Sequence, residues 1–183
     1  KGEVFIDIGA HIGKYTLLAS KIVGEKGLVV SIEANPESYD VLVRNVNANN
    51  AKNVMTINAA MWNTTREIIL HRGTFSGNWS IKGDPKSDGV KVIAKPLESI
   101  LKEIKIDKID WIKMDVEGAE IEVLSGMKNT IKEFKPKIVL EAQNYNEQKI
   151  RRIFKDAGYV CKVVERDPVQ AYILCHYASR SPT

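Results

Sequence analysis

The stretch Val4-Phe5-Ile6-Asp7-Ile8-Gly9-Ala10-His11-Ile12-Gly13-Lys14-Tyr15-Thr16 starts as a short apolar run, breaks into a glycine-spaced turn, and continues as a helical pattern. Five residues are too few for a buried helix and Gly bounds the run, so Val4–Ile8 is expected to be a buried strand leading into a helix over about Ile12–Val23. A second strand ends on an acid at Ser31-Ile32-Glu33-Ala34-Asn35-Pro36. Paired strand ends of this kind suit a ligand that carries a nucleoside.

Outward from there the chain alternates. Strand Leu28–Glu33, helix Glu37–Asn49 and strand Asn53–Ala59 follow, and after an interruption strand Ile109–Asp115, helix Ala119–Phe134, strand Lys137–Ala142 and helix Asn146–Ala157. Alternation of this sort implies a mostly parallel sheet with helices on both faces, because right-handed crossovers place them there. Tyr159–Val164 and Gln170–Cys175 are separated by so short a link that they must form an antiparallel hairpin. The expected fold is therefore α/β and Rossmann-like, of the class I methyltransferase arrangement, whose C-terminal antiparallel hairpin separates it from a dinucleotide dehydrogenase. The interruption, about residues 62–95, holds strand patterns at Glu67–His71 and Val90–Ala94 and reads as an insertion or flap; a short helix follows around Leu97–Glu103.

With 183 residues, 44% of them apolar and 27% charged, the chain is expected to be a single domain over 1–183 that folds without metals or disulfides. The net charge of +4 is mild and its lysines are dispersed, so a nucleic-acid partner is disfavoured. No apolar run approaches the length of a membrane span. The chain opens at Lys1 directly on a strand pattern, consistent with a missing upstream segment. Cys161 and Cys175 fall on the two late strands; a disulfide is possible there, but buried free thiols in a reducing cytoplasm are the expectation.

Asp7-x-Gly9-x-x-x-Gly13 lies at the carboxyl end of the first strand, where open α/β sheets bind ligands. Gly9 lets the backbone approach a ligand, Gly13 lets the helix pack closely, and Asp7 can accept from an ammonium group. The spacing is not that of a phosphate loop. Glu33 stands twenty-six positions on, near the roughly 20-residue offset at which an acid meets ribose hydroxyls. Asn58-Ala59-Ala60 ends the third strand with an amide and small residues that can border an adenine, or simply make a tight loop. Trp62 reads as a base-stacking ring or as core. Lys113-Met114-Asp115-Val116-Glu117-Gly118-Ala119-Glu120 places three carboxylates at a strand end and a helix's first turn. Glu120 is expected to meet the helix dipole, whereas Asp115 and Glu117 are candidates for a general base.

Phe5-Ile6-Asp7-Ile8-Gly9-Ala10-His11-Ile12-Gly13-Lys14-Tyr15-Thr16, Glu33-Ala34-Asn35-Pro36 and Asp110 through Leu124 together resemble the FkbM-type S-adenosylmethionine-dependent methyltransferases, a similarity that runs from about residue 3 to 142. The Lys-x-Asp-x-Glu-Gly-Ala-Glu string is its most specific part. The resemblance implies S-adenosylmethionine as methyl donor and, usually, methylation of an oxygen, with a small-molecule or saccharide acceptor. It implies that Asp7, Gly9 and Gly13 line the methionine end of the cofactor, that Glu33 holds ribose and that Asn58, Ala59 and Ala60 approach adenine; Ala10, His11, Thr16, Ala34, Asn35 and Asp115 are further expected cofactor contacts. His11 is a departure, since the family more often has Asn there.

A sugar hydroxyl needs a group to take its proton as it attacks. Asp115 is expected to be that base or to orient the acceptor, assisted by Glu117 or His11. Asp115 and Glu141 end successive strands and form a possible oxygen pair for Mg²⁺, but two carboxylates do not establish a site, and no metal ligand is assigned. Gly73–Ser80, with Phe75 and Trp79, reads as a substrate lid or as an exposed loop whose aromatics pack locally. An RNA methyltransferase and a non-catalytic S-adenosylmethionine-binding module are the alternative functions.

Overall fold

The computed structural model describes residues 1–72 and 79–178. Its strands and helices, in chain order, are β1 (Val4–Ile8), α1 (Lys14–Val23), β2 (Leu28–Glu33), α2 (Pro36–Ala48), β3 (Val54–Asn58), β4 (Ala60–Met61), β5 (Arg66–Arg72), β6 (Trp79–Ser80), β7 (Gly89–Lys95), α3 (Leu97–Ile104), β8 (Trp111–Met114), α4 (Glu120–Ser125), α5 (Lys128–Phe134), β9 (Lys137–Gln143), α6 (Glu147–Asp156), β10 (Tyr159–Arg166) and β11 (Gln170–Tyr177).

Seven strands form the main sheet in the order β3-β2-β1-β8-β9-β11-β10. The first five are parallel; β11 runs antiparallel to both β9 and β10, inserting between them. The chain thus builds outward from β1 to β3, then returns to lay β8 on the other side of β1. That reversal leaves a crevice above the carboxyl ends of β1 and β8.

Strand alternation decides what each face meets. Ile6, Ile8, Ile112 and Ile138 point to one side and are fully buried with Leu97, Met127 and Phe154 of the α3–α6 layer. On the other side Val29 packs with Ala19 and Val23 of α1 and with half-buried Phe5. Four shorter strands, β4-β7-β5-β6, make a second sheet from the interruption between β3 and α3, and its buried Leu70, Val92 and Ala94 belong to the same apolar cluster as the main sheet. The two-residue strands β4 and β6 carry too little pattern to be seen in the sequence.

Two expectations are corrected, for the helix over Ala119–Phe134 and for the cysteines, and of the two readings of Trp62 the structure has the core one. The single helix expected over Ala119–Phe134 is broken into α4 and α5 at Gly126-Met127, where the backbone passes so close to Trp62 that a Cβ on Gly126 would sit 2.2 Å from its carbonyl oxygen. Trp62 itself is buried in the core, with the Arg66 guanidinium 5.4 Å from its ring centre. Cys161 and Cys175 are not free thiols: the β10–β11 register sets them opposite one another and they are joined as a disulfide. None of the described helices is long and apolar enough to cross a membrane. Of the expected lid, Gly73–Asn78 lies outside the described residues, while Trp79 is half-buried in β6.

Candidate active site

The turn after β1 is built around left-handed backbone. Gly9 (φ +74), His11 (φ 51) and Gly13 (φ +93) all lie there, and α1 begins immediately after Gly13. Gly9 must be glycine for a second reason, because a Cβ would fall 1.8 Å from the Asp115 carbonyl oxygen. His is among the non-glycine residues that tolerate this region, as is the Asn more common in the resembling family.

Beneath the turn is a buried polar network. Asp7 is fully buried; Thr16 Oγ1 donates to its Oδ2 at 2.7 Å and lies 2.9 Å from Ser31 Oγ. Lys113, directly opposite Asp7 in the β1–β8 register, brings its Nζ to 3.3 Å from Asp7 Oδ1 and donates to the Gly9 carbonyl at 2.8 Å. Asp7 and Thr16, expected at the ligand, hold the lysine and the helix in place and are not among the residues lining the neighbouring cavity. Ala10 packs on Leu42, Gly13 sits against Leu42, Asn35 caps α2 through Ser38 N–H, and the Asn58 amide ties β3 to the Glu33 carbonyl. None of these four is among the residues that line the cavity.

The wall itself takes Gly9 and His11 from the first turn, Glu33 and Ala34 from β2, Ala59 and Ala60 after β3, and Asp115 and Glu117 after β8. Leu70, Trp79 and Ile81 close it from the second sheet. Glu33 is buried, and both its oxygens are held: Oε2 by the His11 N–H at 2.7 Å and Oε1 by the Asn35 N–H at 2.8 Å. Burial pushes its carboxyl up and the two backbone bonds pull it back, with a net rise. Each oxygen keeps a further lone pair, which is what a vicinal diol requires.

Asp115, Glu117 and Glu141 place one oxygen each within 4.8 Å of one another. Glu117 has its backbone in the left-handed region, φ 48, followed by Gly118 at +94. Its carboxyl is pushed up to about 7, chiefly by burial and then by Asp115, Glu141 and Glu120. Glu141 is likewise raised by burial and Asp115. Its hydrogen bond to Tyr172, more than burial, pushes that phenol up to about 12. Acidic groups cluster in this way without any ion, and no comparison supports Mg²⁺, so no metal is assigned. A second, largely apolar groove of about 610 Å³, bordered by Tyr15, Leu18, Ile22 and Trp111, reaches Lys113, Asp115 and Glu141, so Asp115 belongs to the walls of both spaces.

The expected residues that meet at the cavity are thus Gly9, His11, Glu33, Ala34, Ala59, Ala60, Asp115 and Glu117. Sequence reasoning gave no role to Lys113, although the Lys-x-Asp string contained it. Glu120, expected only to meet the helix dipole, accepts from Gly118 N–H and from Asn146.

Residues 7–161 match the family model described as the Methyltransferase FkbM domain. The hexuronic acid methyltransferase AglP of Haloferax volcanii is 21% identical over 173 residues, which is 94% of this chain and 70% of that protein. The methyltransferase sdnD of Sordaria araneosa is 26% identical over 84% of this chain and 72% of its own length. Among solved structures, a methyltransferase FkbM from Methylobacillus flagellatus superposes with a TM-score of 0.67 at 21% identity, covering 95% of this chain but only 43% of that one. Fibrillarin from Aeropyrum pernix, solved with natively bound S-adenosyl-L-methionine, superposes at 0.62 with 16% identity, over 96% of this chain and 66% of that one. These likenesses bear out the Rossmann-like methyltransferase fold.

Proposed function

The chain belongs to the FkbM methyltransferase domain family, and on that footing we propose that it transfers the methyl group of S-adenosylmethionine to a hydroxyl oxygen of a sugar or other small hydroxylated metabolite. The observation that carries this reading is the shared cavity: Glu33, with both oxygens pre-positioned by backbone N–H groups, faces the same space as Asp115 and Glu117. The similarity to a protein named for hexuronic acid supports a saccharide acceptor.

Glu33 would accept from the ribose hydroxyls, Ala59 and Ala60 would leave room for a flat base, and Gly9 would give the backbone clearance, all from the walls of this one cavity. Bound there, S-adenosylmethionine would supply a methyl group activated by a positively charged sulfur whose leaving form is a neutral thioether. The chain's own work is to align the acceptor oxygen and take its proton. A base works best with its pKa near the operating pH, and Glu117, pushed up to about 7, meets that condition. Asp115, 3.7 Å from Lys113 and on the wall of both spaces, orients the acceptor; His11, whose N–H is on Glu33, stays on the ribose side.

The test is calorimetry with S-adenosylmethionine and S-adenosylhomocysteine, followed by a labelled-methyl screen of neutral sugars, uronic acids, small phenols and RNA. Saturable heat for both nucleosides and label in a hydroxylated small molecule are expected. No heat from either nucleoside, or label only in RNA with steep salt dependence, would overturn the reading. Heat without label in any acceptor would point to a binding module instead.

A further inference from the structure

Glu117 and Gly118 hold two successive left-handed conformations, φ 48 and +94, immediately before α4. A side chain at the first of these costs on the order of 1 kcal/mol, so a turn left to itself relaxes. Three tethers oppose that. Glu120, 1% exposed, folds back so that its Oε1 accepts from the Gly118 N–H at 2.9 Å. Its Oε2 accepts from the Asn146 amide at 2.6 Å, and the same amide nitrogen lies 3.5 Å from the Gly118 carbonyl. From the second sheet, Ser80 Oγ donates to the Glu117 carbonyl at 2.8 Å.

We propose that Glu120 is a positioning residue which, with Asn146 and Ser80, locks the Glu117–Gly118 turn and so keeps the Glu117 carboxyl in the cavity wall. A carboxylate placed merely to meet the dipole of α4 needs no partner on its far oxygen. Here that oxygen is filled by a residue from the start of α6, and the turn is gripped from α4, from the β9–α6 connection and from the second sheet at once. The charge on Glu120 also acts on Glu117 together with Asp115 and Glu141, while Lys113 faces Asp115 and Glu141 from β8. The inference rests on reading Glu117 as the proton acceptor.

Glu120→Gln keeps the shape but offers one acceptor where two donors converge. In the protein without ligand, carbon-detected titration of the Glu117 carboxyl should give a midpoint of about 7 in the parent and a lower one in Glu120→Gln. The Gly118 amide should exchange with solvent at least about tenfold faster. Binding of S-adenosylhomocysteine should change less than about threefold. Glu122→Gln, whose parent carboxylate is half-buried on the same helix and pairs with Lys82 rather than with the turn, should move neither readout. A folded Glu120→Gln protein with an unaltered midpoint and unaltered Gly118 exchange overturns the proposal. Should that variant not fold, Ser80→Ala removes one tether from outside the helix and must still accelerate Gly118 exchange; no acceleration overturns the proposal equally. The two readings fail separately: full methyl transfer by Glu117→Gln removes the base assignment while leaving the clamp, whereas rigid Gly118 exchange removes the clamp alone.

Discussion

Lys113 Nζ lies 3.3 Å from the carboxylate of Asp7, a residue with no solvent exposure, and the two are direct partners in the parallel pairing of β1 with β8. A charge taken this far out of water persists only when paired. The same ammonium reaches the Gly9 carbonyl, so the pair holds the strand and the turn above it together. Lys113→Met strands the Asp7 charge and should cost about 3 kcal/mol or more. Adding Asp7→Asn should recover part of that loss. Urea unfolding of the two single variants and the double variant measures the coupling, and independent, additive effects would remove the pair from the argument.

Gly9→Ala tests how closely the two strand ends approach. The new Cβ would meet the Asp115 carbonyl at 1.8 Å, in a backbone conformation that already disfavours a side chain. The β8 end must then move away, taking Asp115 and Glu117 with it. A loss of at least about 2 kcal/mol is expected, along with weakened binding of S-adenosylhomocysteine. Unchanged melting and unchanged affinity would show that the approach is looser than this.

Glu33→Gln leaves the volume intact but turns an acceptor-only group into one that presents an NH₂ to the His11 or the Asn35 N–H. Hydrogen bonds to a charged group contribute about 1.5–3 kcal/mol, so affinity for S-adenosylhomocysteine should fall roughly ten- to a hundredfold, read by calorimetry. An affinity within twofold of the parent would take ribose recognition away from Glu33.

What could be read beforehand followed a physical rule. Glu33 and Asp115 were visible because a carboxylate that ends an apolar run is a local pattern, and the strand order placing them around one crevice follows from the handedness of β-α-β crossovers. The Asp7–Lys113 pair was not, since it exists only in the register of strands more than a hundred residues apart. From the sequence Asp7 is therefore legible only as a strand-end acid, without the lysine of the same sheet that partners it. Glu120 was only half legible for a related reason: its place in a helix's first turn is evident, but Asn146, the partner on its second oxygen, comes from a later loop. Glu117's left-handed backbone, likewise, shows in the sequence only as a residue preceding glycine.

The raised carboxyl of Glu117 sets a pH dependence whose sign can be worked out. Its folded pKa of about 7 lies above the ordinary value of 4.5, so between those limits the folded protein holds a proton that the unfolded chain has lost. Stability contributed by this group is then present below about 4.5 and lost as pH rises towards 7. Methyl transfer moves the other way, rising through pH 7 as the carboxylate forms. Glu117→Gln should flatten both: unfolding free energy compared at pH 5 and 7.5 should fall less than in the parent, and turnover should be low at every pH. A parent rate profile that is level from pH 5.5 to 8.5 would sink the assignment.

The β10–β11 disulfide closes a short loop, with Cys161 and Cys175 fourteen positions apart. A crosslink over about 15 residues restricts the unfolded chain by roughly 3 kcal/mol in the entropy model. Cys175 is also fully buried towards the end of β11, the strand wedged between β9 and β10, so loosening here frees the edge of the sheet that carries Glu141 and Tyr172 on neighbouring strands. Reduction under native conditions, or Cys161→Ser with Cys175→Ser, should lower the melting temperature by several degrees and quicken amide exchange along β10 and β11, yet leave S-adenosylhomocysteine affinity unchanged, because β1, β2 and β3 carry that side of the cavity. If affinity fell in step with stability, the hairpin would be coupled to the nucleoside side of the sheet, and the division of labour between its two halves would have to be abandoned.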